Sequence, residues 1–300
     1  MIQTFDAALP HGITLSCRAT GRPGLPVLLF AHGFPEAAFV WDELLEHFGD
    51  RYRCIAPNLR GYEKSSSPPE VEAYRVKHLM ADLAALIDQQ AGGQVEALIA
   101  HDWGGAVAWN LAAQLPEKLK RLVIVNSPHP ATFLRELQHN PQQQAASAYM
   151  NFLCRADAEA LLAENDYARL WPFFVNMGAT DPAHPGGGWL TDVVRDRYRA
   201  VWGAGLTGGC NYYRAAPLRP PTAADASVLK LGLPPDFCTV RLPTLVIWAE
   251  GDIALPVQLL DGLEAHVPQM RLLRVPGATH WIVHERPQWI AAEVERELAH

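Results

Sequence analysis

Val95 to Trp109, VEALIAHDWGGAVAW, decides how the chain is read, because it puts an aspartate where a buried strand turns sharply into a helix. Val95, Ala97, Leu98, Ile99 and Ala100 form an apolar run of strand length, suited to burial on both faces. His101, Asp102 and Trp103-Gly104-Gly105 interrupt it, after which Ala106, Val107, Ala108, Leu111 and Ala112 keep an apolar stripe at helical spacing. With only a small side chain at Ala100 and none at Gly104, the turn can be tight and strained, lifting the residue between them into a pocket. Asp102 then stands where a nucleophile stands. An aspartate capping an ordinary helix before a diglycine looks the same locally, so the rest of the chain has to decide.

Outward from this stretch, strands and helices alternate. Leu15 to Gly21 reads as an early strand, and Val27 to Ala31 (VLLFA) as a buried one that runs into the loop His32-Gly33-Phe34-Pro35-Glu36. Trp41, Leu44, Leu45 and Phe48 recur at helical spacing. Arg53 to Pro57 is a short strand closed by the turn-rich PNLRGYEKSSSPP. Val76, Leu79, Met80, Leu83, Leu86 and Ile87 mark one face of a helix over Arg75 to Gln90, ended by Gly92-Gly93. Leu122 to Val125, Thr244 to Trp248 and Met270 to Val275 are the later strands, and Gln288 to Leu298 is the closing helix. This alternation predicts an α/β fold: a mostly parallel sheet with helices on both faces. Residues 128–236 break the pattern with aromatic-rich helical patches and Pro-rich loops. They are expected to form a helical cap over the C-terminal edge of the sheet, between core segments 1–127 and 237–300.

Composition narrows the partners. About half of the 300 residues are hydrophobic, at 49%, but no run approaches a membrane span, so no membrane insertion is expected. The N-terminus, MIQTFDAALPHG, lacks a basic leader and an apolar core, so nothing suggests export. Five scattered cysteines without a CxxC pair argue against a disulfide framework or a zinc site and fit a reducing cytoplasm. A formal charge of −7 without a basic, aromatic-interleaved cluster excludes nucleic acid. Neither a metal nor an organic cofactor is implied, and oligomeric state is not readable.

Three side chains fall at the ends of successive strands: Asp102, Asp252 in EGDIALP and His280 in GATHW. Their chemical logic is a nucleophile, a base (His280), and an acid (Asp252) that fixes the imidazole tautomer and stabilises the imidazolium. After Leu122 to Val125 the chain offers only Asn126-Ser127, which cannot carry the acid's charge. His101 is expected to point away from the pocket, His32 to brace its loop, His284 to sit at the surface or behind the site, and His129 is a candidate for the pocket lining. The backbone NH groups of Phe34 and Trp103 are positioned to hold an oxyanion. Their side chains, with Pro35 and Trp281, are expected to wall an apolar pocket.

Aspartate rather than serine at the turn is the informative choice. A carboxylate is ionised near neutral pH and can displace a leaving group at an alkyl carbon, giving an ester that water then cleaves. Epoxides and alkyl halides both fit. An opening epoxide generates an alkoxide that must be protonated, and the middle segment supplies the phenols Tyr149 and Tyr212-Tyr213.

Taken together, HGFPE, PNLRGY with SSSP, AHDWGG, EGDIALP, and GATHW followed by HERP resemble the soluble epoxide hydrolases of the α/β-hydrolase superfamily. The resemblance covers the core on both sides of the cap. It implies the α/β-hydrolase fold, whose triad runs nucleophile, acid, histidine along the chain, and two cap tyrosines that polarise the epoxide. NYYRA resembles the second tyrosine motif and points to Tyr213; AYMNFLCRADAE resembles the first and points to Tyr149. Asn58 and Glu63 stand where relatives more often carry Asp and Gly, and Ala100 replaces a more usual glycine. The expected activity is hydrolysis of a small apolar epoxide to a vicinal diol through an ester on Asp102. The alternative is a haloalkane or haloacid dehalogenase using the same nucleophile. Haloalkane dehalogenases lack the paired cap tyrosines, and haloacetate dehalogenases carry an arginine where this chain has Trp103.

Overall fold

The structure, a computed structural model, describes residues 1–234 and 237–299. The strands are β1 (Gln3–Ala8), β2 (Thr14–Thr20), β3 (Val27–Ala31), β4 (Arg53–Pro57), β5 (Ala97–His101), β6 (Leu122–Val125), β7 (Thr244–Ala249) and β8 (Met270–Val275). They form one sheet in the order β1-β2-β4-β3-β5-β6-β7-β8. β2 runs antiparallel to both of its neighbours, and every pairing from β4 to β8 is parallel. The fold is that of an α/β hydrolase.

The sequence explains the layering. VLLFA, ALIAH and LVIV are buried at every position, as strands covered on both faces must be. Helices α1 (Asp42–Phe48), α2 (Val76–Ala91) and α3 (Asp102–Gln114) belong to the first half of the core. α2 stops at Gly92, whose φ of 63° makes the left-handed cap that glycine adopts without strain. Val95, read above as part of the elbow strand, makes only an isolated bridge to Leu119, and the strand proper starts two residues later. β1 goes unread in the sequence because its residues are mostly exposed and carry little apolar signal; it is held as a hairpin partner of β2.

Between β6 and β7 the described residues form helices and loops without a strand. The helices are α4 (Pro130–His139), α5 (Pro141–Ala146), α6 (Ala148–Leu153), α7 (Ala158–Tyr167), α8 (Trp171–Val175), α9 (Asp192–Gly203) and α10 (Thr207–Ala215). The expected cap boundary at residue 236 lies outside the described residues. α11 (Ile282–Glu285) and α12 (Pro287–Leu298) complete the chain. No helix among the described residues is long and apolar enough to cross a membrane.

Because β3, β5, β6, β7 and β8 are parallel, the segments that follow them emerge at one edge. That edge collects the loop at Gly33, Asp102, Asn126, the Asp252 loop and His280.

Candidate active site

Asp102 is the first residue of α3 and has a φ of 48°, a conformation L-residues adopt only when their surroundings impose it. Two glycines let neighbouring backbone close in on the turn and on the Asp102 side chain. A Cβ on Gly104 would lie 2.4 Å from the Ala31 carbonyl oxygen, and one on Gly33 would lie 2.3 Å from the Asp102 Cβ, so neither site admits a side chain. Ser127 Oγ donates to the Asp102 carbonyl at 2.6 Å and fastens the turn from the next strand. The Phe34 NH donates to Asp102 Oδ1 at 2.7 Å. Trp103, next in α3, has its NH in the first helical turn, where such groups lack intrahelical acceptors.

The other expected residues converge on this carboxylate. His280 Nε2 lies 3.7 Å from Asp102 Oδ2, while its Nδ1 lies 2.6 Å from Asp252 Oδ2. Asp252 is buried; its Oδ1 accepts from the NH groups of Ala254 and Leu255 at 2.8 and 2.9 Å. Asn126 Nδ2 donates to Oδ2 at 2.9 Å. Burial by itself would raise the Asp252 pKa, but His280 and these donors hold it below the ordinary carboxylate value. Burial would likewise lower His280, and the opposing charge of Asp252, with Asp102 and Glu36 behind it, instead raises it to about 9. Asn126, with a φ of 40°, was set aside in the sequence because it cannot supply a charge; what it supplies is a hydrogen bond to the acid that does.

Behind His280 lies a second buried carboxylate, which sequence reasoning missed. Glu36 of the HGFPE loop meets His101 Nδ1 at 3.2 Å, His284 Nε2 at 2.8 Å and the Tyr198 hydroxyl at 2.9 Å. Burial opposes its ionisation, yet the two histidines hold it well below the usual carboxylate range. The other nitrogen of His101 meets the His280 carbonyl at 2.9 Å, so His101 points away from the cavity as expected. His284 belongs to this buried group rather than the surface. His32 braces its loop, with Nε2 accepting from the Leu59 NH at 3.0 Å.

A cavity of about 710 Å³ opens over Asp102, and Trp103, Tyr149, Tyr213, Phe133 and Leu218 are among its walls. The rings of Tyr149 and Tyr213 lie 6.0 Å apart, and Tyr213 meets Trp103 edge-on at 5.1 Å. Burial raises both phenols well above 10, reinforced by Asp102 and Asp252 at Tyr149 and by Tyr149 and Asp102 at Tyr213, so they stay protonated. The arrangement can therefore present a carboxylate and two hydroxyl donors to one apolar guest. Phe34, Pro35 and Trp281, expected in the pocket wall, are not part of this lining. Phe34 packs behind Tyr213 at 5.3 Å, the Pro35 carbonyl accepts from Trp202 Nε1, and Trp281 Nε1 donates to the Phe173 carbonyl.

His129 is not in the lining either. Its Nε2 bonds the Cys238 carbonyl at 2.8 Å and its Nδ1 accepts from the Ala131 NH. One ligand atom each of His129, Cys238 and His266 come within 4.8 Å of one another. The two imidazoles are stacked at 18°, however, so their in-plane lone pairs run alongside each other instead of converging on an ion.

Comparison with known proteins agrees with the architecture. The family described as alpha/beta hydrolase fold matches residues 26–287. The AB hydrolase superfamily protein YfhM of Bacillus subtilis is 37% identical over 92% of this chain and 91% of its own. Epoxide hydrolase 4 of Mus musculus is 30% identical over 92% of this chain and 74% of its own. Among solved structures, a Bacillus megaterium epoxide hydrolase in complex with an inhibitor superposes with a TM-score of 0.86 at 27% identity, covering 99% of this chain and 100% of its own. An epoxide hydrolase from hot-environment metagenomes gives 0.84 at 34% identity, covering 99% of both chains. The chain belongs to the epoxide hydrolase family of the α/β-hydrolase superfamily.

Proposed function

We propose that this chain hydrolyses small apolar epoxides to vicinal diols in two covalent steps. The Asp102 carboxylate attacks a ring carbon, the carbon–oxygen bond breaks, and the departing oxygen takes a proton from Tyr149 or Tyr213. Water then attacks the carbonyl of the ester, giving its proton to His280, whose imidazolium Asp252 stabilises. The NH groups of Phe34 and Trp103 hold the negative charge of the tetrahedral intermediate. Collapse releases the diol, and the net proton freed as Asp102 regains its carboxylate restores the phenol. Residues 128–236 serve as the cap that carries both tyrosines.

The observation that carries this reading is the presence of both phenols in the cavity that Asp102 faces, both raised well above 10. An alkoxide leaving group needs a proton donor, and a halide does not. The named relatives and the structural neighbours support the same activity. Five unpaired thiols support a reducing cytoplasm as its setting. The test is a product screen: diol formation from styrene oxide against halide release from a panel of haloalkanes and haloacetates. Diol without halide is expected, and halide without diol would replace this reading with the dehalogenase one.

A further inference from the structure

Tyr213 is carried by α10, and α10 is seated directly on the loop after β4. Its first turn meets the loop after β4 backbone to backbone: a Cβ on Gly208 would lie 2.3 Å from the Cα and carbonyl oxygen of Gly61. Conversely, a Cβ on Gly61 would lie 2.7 Å from Gly208 Cα, and Gly61 has a φ of +87°. One turn further on, the Tyr212 hydroxyl donates to the Arg60 carbonyl at 3.0 Å. That carbonyl is itself fixed. The Arg60 guanidinium forks onto the buried Asp82 carboxylate at 2.7 and 2.6 Å and bonds the Ala73 carbonyl at 2.8 Å. α10 is thus pressed onto a rigid turn and bolted there by the residue next to Tyr213.

We infer that Gly208 and Tyr212 are positioning residues: the Gly61–Gly208 contact and the Tyr212–Arg60 bond set the depth at which α10 brings the Tyr213 hydroxyl over Asp102. This rests on the reading of Tyr213 as the donor to the opening epoxide. Non-bonded carbons settle at about 3.5 Å, so a methyl group on Gly208 must push α10 off the turn by roughly 1 Å. Displacements of that size at a reacting group cost on the order of 100-fold in rate.

The experiment is rapid-quench measurement of the two half-reactions, ester formation and ester hydrolysis, with styrene oxide. Gly208→Ala should slow ester formation by about 10- to 100-fold. Hydrolysis of the ester, which depends on His280 and Asp252, should change by less than about twofold. Tyr212→Phe removes the bolt without adding bulk and should slow the same step several-fold, which keeps the test open should Gly208→Ala fail to fold. In a Tyr213→Phe background neither substitution should slow ester formation further, because the group they position is gone. An unchanged rate of ester formation in both variants, or an equal loss with and without Tyr213, overturns the inference. Failure of the unsubstituted enzyme to form any diol overturns the underlying reading instead.

Discussion

Asn126 Nδ2 donates at 2.9 Å to Asp252 Oδ2, the same oxygen that stands 2.6 Å from His280 Nδ1. One strand end therefore reaches the imidazole with a charge, and a second reaches that charge with an amide. Asp252→Asn should lower diol turnover on the order of 10³- to 10⁴-fold by losing the imidazole's orienting charge. Adding Asn126→Asp should recover at least about tenfold of it, since an isosteric carboxylate is then restored beside the side chain that meets His280. Steady-state kinetics on the single and double variants check both statements; a double variant no better than Asp252→Asn alone would mean that position 126 cannot serve His280.

His280→Gln should leave ester formation intact and block hydrolysis. Intact-protein mass spectrometry after incubation with styrene oxide should then find one substrate mass added, located on Asp102. Asp102→Ala should give neither adduct nor diol.

The His280 pKa of about 9 bears on both stability and timing. A group whose folded value exceeds its ordinary 6.5 contributes stability that is complete below about 6.5 and is lost as pH rises through about 9. The melting temperature should fall across that window, and fall less in Asp252→Asn, where the largest opposing charge is gone. Asp102 also raises His280, so the proposed conversion of its carboxylate to a neutral ester would lower the imidazole pKa at the step where a base is needed. Asp102→Asn mimics that change; an NMR titration should find the His280 pKa lower than in the unsubstituted protein.

Tyr149→Phe combined with Tyr213→Phe should slow epoxide opening by at least about 100-fold, the usual scale for losing a general acid. Both phenols stay protonated well above pH 10, so neither should produce a break in the pH–rate profile of ester formation below that pH. Undiminished opening in the double variant would remove the tyrosines from the chemistry.

Glu36→Gln should destabilise the protein by about 3 kcal/mol, because it withdraws the charge that two buried histidines were arranged around. Urea denaturation reads this directly. A change below about 1 kcal/mol, the worth of an exposed pair, would mean the group is hydrated in solution.

The strand ends before Asp102 and Asp252 were legible because burial on both faces writes an uninterrupted apolar run, whereas β8, which precedes His280, is only half-buried and carries Arg271 and Arg274. Asn126 was not legible in its actual role: a neutral residue that orients a charged one leaves no signature at sequence level. Glu36 was visible only as part of a loop motif, since its partners His101, His284 and Tyr198 lie 65, 248 and 162 positions away. Phe34, Pro35 and Trp281, expected in the pocket wall, are not among the residues lining the cavity. Proximity in sequence to a reactive residue does not say which face of a loop looks inward; the Phe34 ring packs on Tyr213, the Pro35 carbonyl accepts from Trp202 and the Trp281 indole donates to the Phe173 carbonyl.

The bond from the Phe34 NH to Asp102 Oδ1 leaves the two oxygens of one carboxylate unequal before any substrate arrives. Oδ1 is already occupied, so the atom free to join the substrate is Oδ2, the one turned toward His280. In the proposed mechanism Oδ2 becomes the ester bridge and Oδ1 the carbonyl oxygen, which already rests on the donor that the tetrahedral adduct requires. On that proposal the second half-reaction would inherit its electrostatics from the resting protein with no side chain having to move. A single turnover in ¹⁸O-water should accordingly leave heavy oxygen in the Asp102 side chain and none in the first diol released.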